Sequence, residues 1–325
     1  MDFVLSTETV AGWLADHGLS SQAETLEVEE LDGGVSAVVL AVRAPDLGLV
    51  VKQALPRLRV RDVWQAKPER TDTEAAALRL CGELTPAAVP RLLAHAPEQH
   101  VLAMELLPAA ARNWQAEIGA GRPHAGEGRW AGVTLGTWHA ATSGRADVAA
   151  AFDDFEAFEQ LRLRPFHETV MRRRPELAAT LAPYVEELRN TRRCLVHGDY
   201  APKNILVAPD GRRWVLDFEV AHTGNPVFDL GFFLSFVVLS AVRWPALTAE
   251  LRRLGDGFLA GHEETAGPGF AGDAASITGH TACLVLARTD GTSPAQFLDE
   301  PSRERARTVG VSLLERPEQG LWSWL

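Results

Sequence analysis

Apolar residues change rhythm along this chain, in short strand-like runs up to about residue 108 and helix-like stripes beyond it. Glu27–Leu31, Ala37–Val42 and Leu49–Lys52 predict three strands, separated by the turn-forming segments Asp32-Gly33-Gly34-Val35-Ser36 and Ala44-Pro45-Asp46-Leu47-Gly48. The alanine-rich stretch Thr71–Leu78 predicts a helix, and Val101–Pro108 a last strand closed by proline. Trp130–Thr142 carries Val133, Leu135, Trp138 and Ala141 close to a 3.6-residue repeat, with His139 beside them as a packed structural histidine. Phe152–Glu187 reads as a second helical region. Val227–Val242 is a 16-residue apolar run interrupted only by Asp229, a buried helix rather than a membrane span. Between the helical regions, Ile205–Ala208 and Trp214–Leu216 flank Asp210-Gly211, which predicts a hairpin with a two-residue type I′ turn. That register sets Pro209 against Arg212 and Asn204 against Asp217, with opposed β-carbons about 5 Å apart. The class is therefore α+β.

Composition narrows the picture. A chain of 325 residues exceeds one typical core, so two lobes are expected. Cys81, Cys194 and Cys283 are odd in number and far apart, which suggests buried reduced thiols rather than disulfides or a zinc site. Met1 is followed by acidic and polar residues with no basic-then-apolar leader, so a cytoplasmic location is expected. A net charge of −11 and the lack of a basic stripe argue against a nucleic-acid partner. Residues 1–108 carry 16 acids against 9 bases, residues 109–226 carry 15 of each, and residues 227–325 carry 12 against 8. The balanced, arginine-rich middle segment argues against an acidic pocket for a polycation and favours a neutral or weakly charged ligand. Arg172-Arg173-Arg174 reads as a solvated helix end or as a contact to an anionic group. Leu321-Trp322-Ser323-Trp324-Leu325 is too apolar to stay solvated and should dock on the domain or at a dimer contact.

Candidate chemistry concentrates in two places. Asp199 in a short loop, Asn204 five residues on and Asp217 after the hairpin are the parts phosphoryl transfer uses: an acid to take the acceptor's proton and two oxygen ligands for Mg²⁺. Lys52 closes the apolar run Val50-Val51, 18 residues after Gly34, and a lone charge there needs an anion. Glu74 can supply it. Thr71-x-x-Glu74 is equally a capping box, in which Glu74 would bond the helix start instead.

His197-Gly198-Asp199-Tyr200-Ala201-Pro202-Lys203-Asn204, followed by Asp217-Phe218-Glu219, resembles the aminoglycoside phosphotransferase and choline kinase family, small-molecule relatives of the protein kinases. The likeness continues through Asn225-Pro226-Val227-Phe228-Asp229-Leu230, where the family has an aspartate bracing the catalytic loop. It implies a bilobal protein-kinase-like fold, with a nucleotide-binding lobe over 1–108 and a catalytic, acceptor-binding lobe over 109–325. It also implies ATP and Mg²⁺ as cofactors. Asp199 would be the catalytic base, Asn204, Asp217 and Glu219 the metal ligands, and His197 a support of the loop backbone. Lys52, held by Glu74, would grip the phosphates under a loop of Gly33, Gly34 and Ser36, while adenine would meet backbone groups at the hinge near Glu105. Lys52-Gln53-Ala54-Leu55-Pro56 with Trp64 looks like methylthioribose kinases, although the Lys203-Asn204 pair departs from them. The implied partners are ATP and a small-molecule hydroxyl compound such as a sugar, a nucleoside or a glycosylated antibiotic, on a monomer or homodimer with no nucleic acid or membrane. Antibiotic inactivation, sugar salvage and a nucleotide-binding pseudokinase are the settings this leaves open.

Overall fold

The computed structural model describes residues 3–20, 26–31, 36–58 and 66–325. The chain divides into two compact units. The first comprises Met1–Ala111 and Ala208–Val220, the second Arg112–Val207 and Ala221–Leu325.

The first unit is built on five antiparallel strands in the order β1-β2-β3-β5-β4. They are β1 (Glu27–Glu30), β2 (Ala37–Ala44), β3 (Leu47–Ala54), β4 (Leu92–Ala96) and β5 (Val101–Glu105). β2 and β3 run longer than their apolar runs because Ala44 still pairs with Leu47, leaving a two-residue turn at Pro45-Asp46. Alternation decides the faces. Val38, Leu40, Val42, Leu49, Val51, Val101 and Ala103 lie in one buried cluster with Leu5 and with Val10, Trp13 and Leu14 of the helix α1 (Val10–Asp16). Gln53 fixes the entering chain to that face: its Oε1 accepts from Leu5 N–H at 2.7 Å and its amide donates to the carbonyls of Phe3 and Gln99 at 2.9 Å. One residue back along the pleat, Lys52 belongs to the opposite face, paired with Val39 and Leu102. There it meets α2 (Arg70–Leu84).

The turn before Trp214 corrects the expected register. Ala208 N–H donates to Arg212 carbonyl at 2.9 Å and Gly211 N–H to Ala208 carbonyl at 3.0 Å, with Gly211 at φ +85°. This is a three-residue loop with proline at the second turn position and a glycine bulge, so Ala208 faces Arg212 where Pro209 was expected. Asp210 favours it by accepting Arg212 N–H at 3.0 Å.

The second unit is helical around Val227–Arg243, in which Val227 through Val242 are all buried. Its closest helix pair is Glu127–Thr142 with Thr248–Ala266. Gly128, Gly132 and Gly136 make that approach: a β-carbon at Gly132 would stand 2.0 Å from the Phe258 carbonyl oxygen. Cys194–Val196 pairs antiparallel with His222–Gly224, and Arg112–Asn113 with Leu206–Val207. Trp322 docks on the unit itself, its Nε1 donating to Asp256 at 2.7 Å. All three cysteines are buried and outside any disulfide. Among the described residues no helix is long and apolar enough to cross a membrane.

Candidate active site

In the first unit, Lys52 Nζ lies 2.8 and 3.0 Å from the two oxygens of Glu74 and 2.7 Å from Asp217 Oδ1. Burial opposes the lysine charge, but Asp217, Glu74 and Glu219 outweigh it and hold the ammonium protonated above its ordinary range. Burial pushes Glu74 up to about 7 against the pull of Lys52. The ion pair therefore prevails over the capping box: α2 begins at Arg70 with no side-chain cap, and Thr71 Oγ1 donates instead to His100 carbonyl at 3.2 Å. Asp217 has φ +69°, a left-handed conformation that aspartate tolerates better than most residues.

In the second unit the loop that carries Asp199 is braced by a buried carboxylate. Fully buried Asp229, near the start of Val227–Arg243, accepts His197 N–H at 2.7 Å and Gly198 N–H at 2.9 Å, and touches His139 Nε2 at 3.3 Å. Burial disfavours its charge, but the histidines and these N–H donors keep its carboxyl below the usual range. Gly198 sits at φ +76°, which explains the glycine before Asp199. Asp199 N–H donates to His197 Nδ1 at 3.1 Å, so His197 supports the loop. Asn204 Nδ2 donates to the Asp199 carbonyl at 3.0 Å and to its Oδ2 at 2.6 Å, while Lys203 pairs with the same carboxylate.

A family model, described as the phosphotransferase enzyme family, matches residues 27–268 and spans both of these clusters. The chain belongs to this family. It is a phosphotransferase acting on a small molecule. No curated protein sequence matches it. Solved structures share its fold at low identity. A macrolide 2′-phosphotransferase, MphH from Brachybacterium faecium, is 21% identical over 92% of this chain and 96% of its own, with a TM-score of 0.52. A choline/ethanolamine kinase family protein from Mesorhizobium loti is 19% identical over 95% and 96%, at 0.51. An ethanolamine kinase from Plasmodium vivax is 12% identical over 94% and 89%, at 0.60.

The remaining expected residues are placed as follows. Ser36 lies at the start of β2, its carbonyl taken by Arg70 and by Leu55 N–H; Gly33, Gly34 and Trp64 fall outside the described residues. Glu105 ends β5, its N–H donating to Arg91 carbonyl at 2.9 Å. Glu219 is buried, with Oε2 2.9 Å from Arg70 Nε. Of Arg172 to Arg174, Arg173 donates to the carbonyls of Asp290 and Gly291, and Arg174 pairs with Glu176 and Asp290.

Two arginines escaped the sequence reading. Fully buried Arg70 makes five bonds, to Glu219 and to the carbonyls of Ala66, Lys67, Ser36 and Leu55. Arg162 reaches Asp199 Oδ1 at 2.8 Å while its Nε holds Gly198 carbonyl at 2.7 Å. It stands within a π-helical segment, Glu159–Glu168, whose wider turn the arginine spacing alone does not announce.

Proposed function

We propose that this phosphotransferase moves the γ-phosphoryl group of ATP to a hydroxyl of a sugar, nucleoside or glycosylated natural product. The observation that carries the reading is Lys52 held by both Glu74 and Asp217, a buried lysine fixed by a helix glutamate and by the aspartate that follows the catalytic loop. In this reading Lys52 binds nucleotide phosphate oxygens, the β2 entry at Ser36 flanks them, and backbone groups at Glu105 meet the base. Asp199 orients the acceptor hydroxyl and takes its proton. The new acceptor O–P bond forms as the bond from the γ-phosphorus to the bridging oxygen breaks, and ADP leaves.

A hard divalent cation suits the donors present. In the second unit Asn204 spends its amide hydrogens on Asp199, which leaves its amide oxygen free to accept; in the first unit Asp217 carries a carboxylate of the kind such a cation takes. Among the described residues no group of three or more His, Cys, Asp or Glu side chains is arranged to hold a metal ion, and Mg²⁺ held largely by phosphates and water needs none. Bound with the nucleotide, Mg²⁺ would neutralise charge on the phosphates; we assign Glu219 to Arg70 instead. The test is ADP release from MgATP against a panel of sugars, nucleosides, amines and antibiotics. Asp199→Asn should keep nucleotide affinity within about twofold and lower kcat by on the order of 10²-fold or more. Undiminished turnover in that variant would remove Asp199 from the mechanism.

A further inference from the structure

Besides Arg162, the second unit carries a half-buried arginine that the Asp199 loop does not use. Arg288, near the end of the helix Ala274–Asp290, bonds through Nη1 to the Ser293 carbonyl at 2.5 Å and to its hydroxyl at 3.2 Å. Its Nε–H is buried without a partner. A guanidinium has five donors in a rigid fork, and an unmet buried donor costs stability unless something occupies it. Arg162 and Arg288 lie along one aromatic wall: both are over Phe166, at 5.5 and 5.7 Å, with Arg162 also over Phe232 and Arg288 over Phe236. Phe232 and Phe236 are successive turns of the same helix, their rings 5.5 Å apart.

The charges are unequal. Arg162 and Lys203 contact Asp199 directly, and Arg288 is within electrostatic reach of both Asp199 and Arg162. Two cations therefore contact this carboxylate, and a third shares the Phe166 ring with one of them. A cationic acceptor brought to Asp199 would be repelled, whereas an oxyanion would meet a fork with donors to spare and apolar walls that strengthen the pairing. We propose that the acceptor is a hydroxyl compound bearing an oxyanion, a carboxylate or a phosphate, which Arg288 with Arg162 holds beside Asp199. This rests on the kinase reading of Asp199 and selects, among sugars and nucleosides, their acids and phosphate esters.

The experiment uses the full chain with MgATP and sets of acceptors that share one carbon skeleton: glycerol, glycerate, glycerol phosphate and aminopropanediol, then glucose, gluconate, glucose 1-phosphate and glucosamine. ADP release and ligand-induced thermal shift are read together. The anionic members should exceed the neutral ones in kcat/KM by about 10- to 100-fold, the worth of one charge-assisted bond, with the amines slowest. Comparing carboxylate with phosphate tells which oxyanion is meant. Arg288→Gln should erase that preference while changing neutral acceptors less than about threefold, and Arg288→Lys, which keeps charge but not the fork, should restore only part of it. Neutral or amine members as the best substrates would overturn the inference and leave the kinase reading standing. Arg288-dependent binding of the anions with no ADP release would support the inference and count against the kinase reading. No binding and no turnover by any member would reject both.

Discussion

Replacing Arg70 by methionine tests whether Glu219 serves this arginine or a metal. The substitution keeps much of the apolar stem but removes five hydrogen bonds from a side chain with no exposed surface, and it strands Glu219 at 5% exposure. Breaking a buried pair by deleting one partner costs about 3–5 kcal/mol, and we take about 4. At roughly 2.1 cal/mol/K per residue, 325 residues melting in one transition give a fall of about 6 °C, while the first unit melting alone gives about 15 °C. Differential scanning calorimetry separates these cases. Glu219→Gln keeps an acceptor oxygen for Arg70 and should cost less than Arg70→Met; the double variant should recover on the order of 1–3 kcal/mol relative to additivity. The concentration of Mg²⁺ needed for half-maximal rate should hardly change in Glu219→Gln and rise sharply in Asp217→Asn. A Tm loss below about 2 °C in Arg70→Met, or a Mg²⁺ requirement raised as much by Glu219→Gln as by Asp217→Asn, would refute the assignment.

Three further outcomes are expected. Lys52→Ala and Glu74→Ala should each weaken ATP use, with losses in the double variant well short of additive; additive losses, with Glu74→Ala lowering only Tm, would favour the cap. Gly132→Ala places a β-carbon 2.0 Å from the Phe258 carbonyl oxygen and should destabilise by about 1–3 kcal/mol or more, whereas Gly126→Ala, with nothing within 4 Å, should stay within about 0.5 kcal/mol; equal melting temperatures would contradict the close helix contact. Burial lowers His167 and His262 from the ordinary 6.5 to about 3, so between those values the unfolded chain binds more protons and stability falls as pH drops. Each should contribute a loss of about 2 kcal/mol between pH 8 and pH 5, which urea titrations at the two pH values would measure and which His262→Gln should reduce.

What the sequence made legible follows the range of the interactions. The strand of Lys52 declared itself because one charge in an apolar run has few solutions, and Glu74 resolved into a pair because a buried ammonium outweighs a cap that solvent can replace. The brace at Asp229 was legible through its motif, and its physical basis is two backbone donors that a short carboxylate alone satisfies. The hairpin register was misread locally: Asp-Gly fits a type I′ turn, but Pro209 before it fixes φ near −65° and steers the chain into a type I turn with a glycine bulge. β4 was missed because Leu92–Ala96 is half-buried throughout and shows no clean alternation. Arg70 and Arg162 were missed for a different reason. Arg70 precedes the expected helix Thr71–Leu78 and Arg162 lies in the expected helical region Phe152–Glu187, and their buried partners stand 149 and 37 residues away. The spacing Gly128-x₃-Gly132-x₃-Gly136 was readable and passed over: in the helix Glu127–Thr142 the apolar stripe drew attention, while the closest packing used residues with no side chain at all. Hydrophobic periodicity locates what a helix buries by transfer from water. Where two backbones must touch, the signal is the side chain that is missing, and a reading weighted toward apolar area overlooks it.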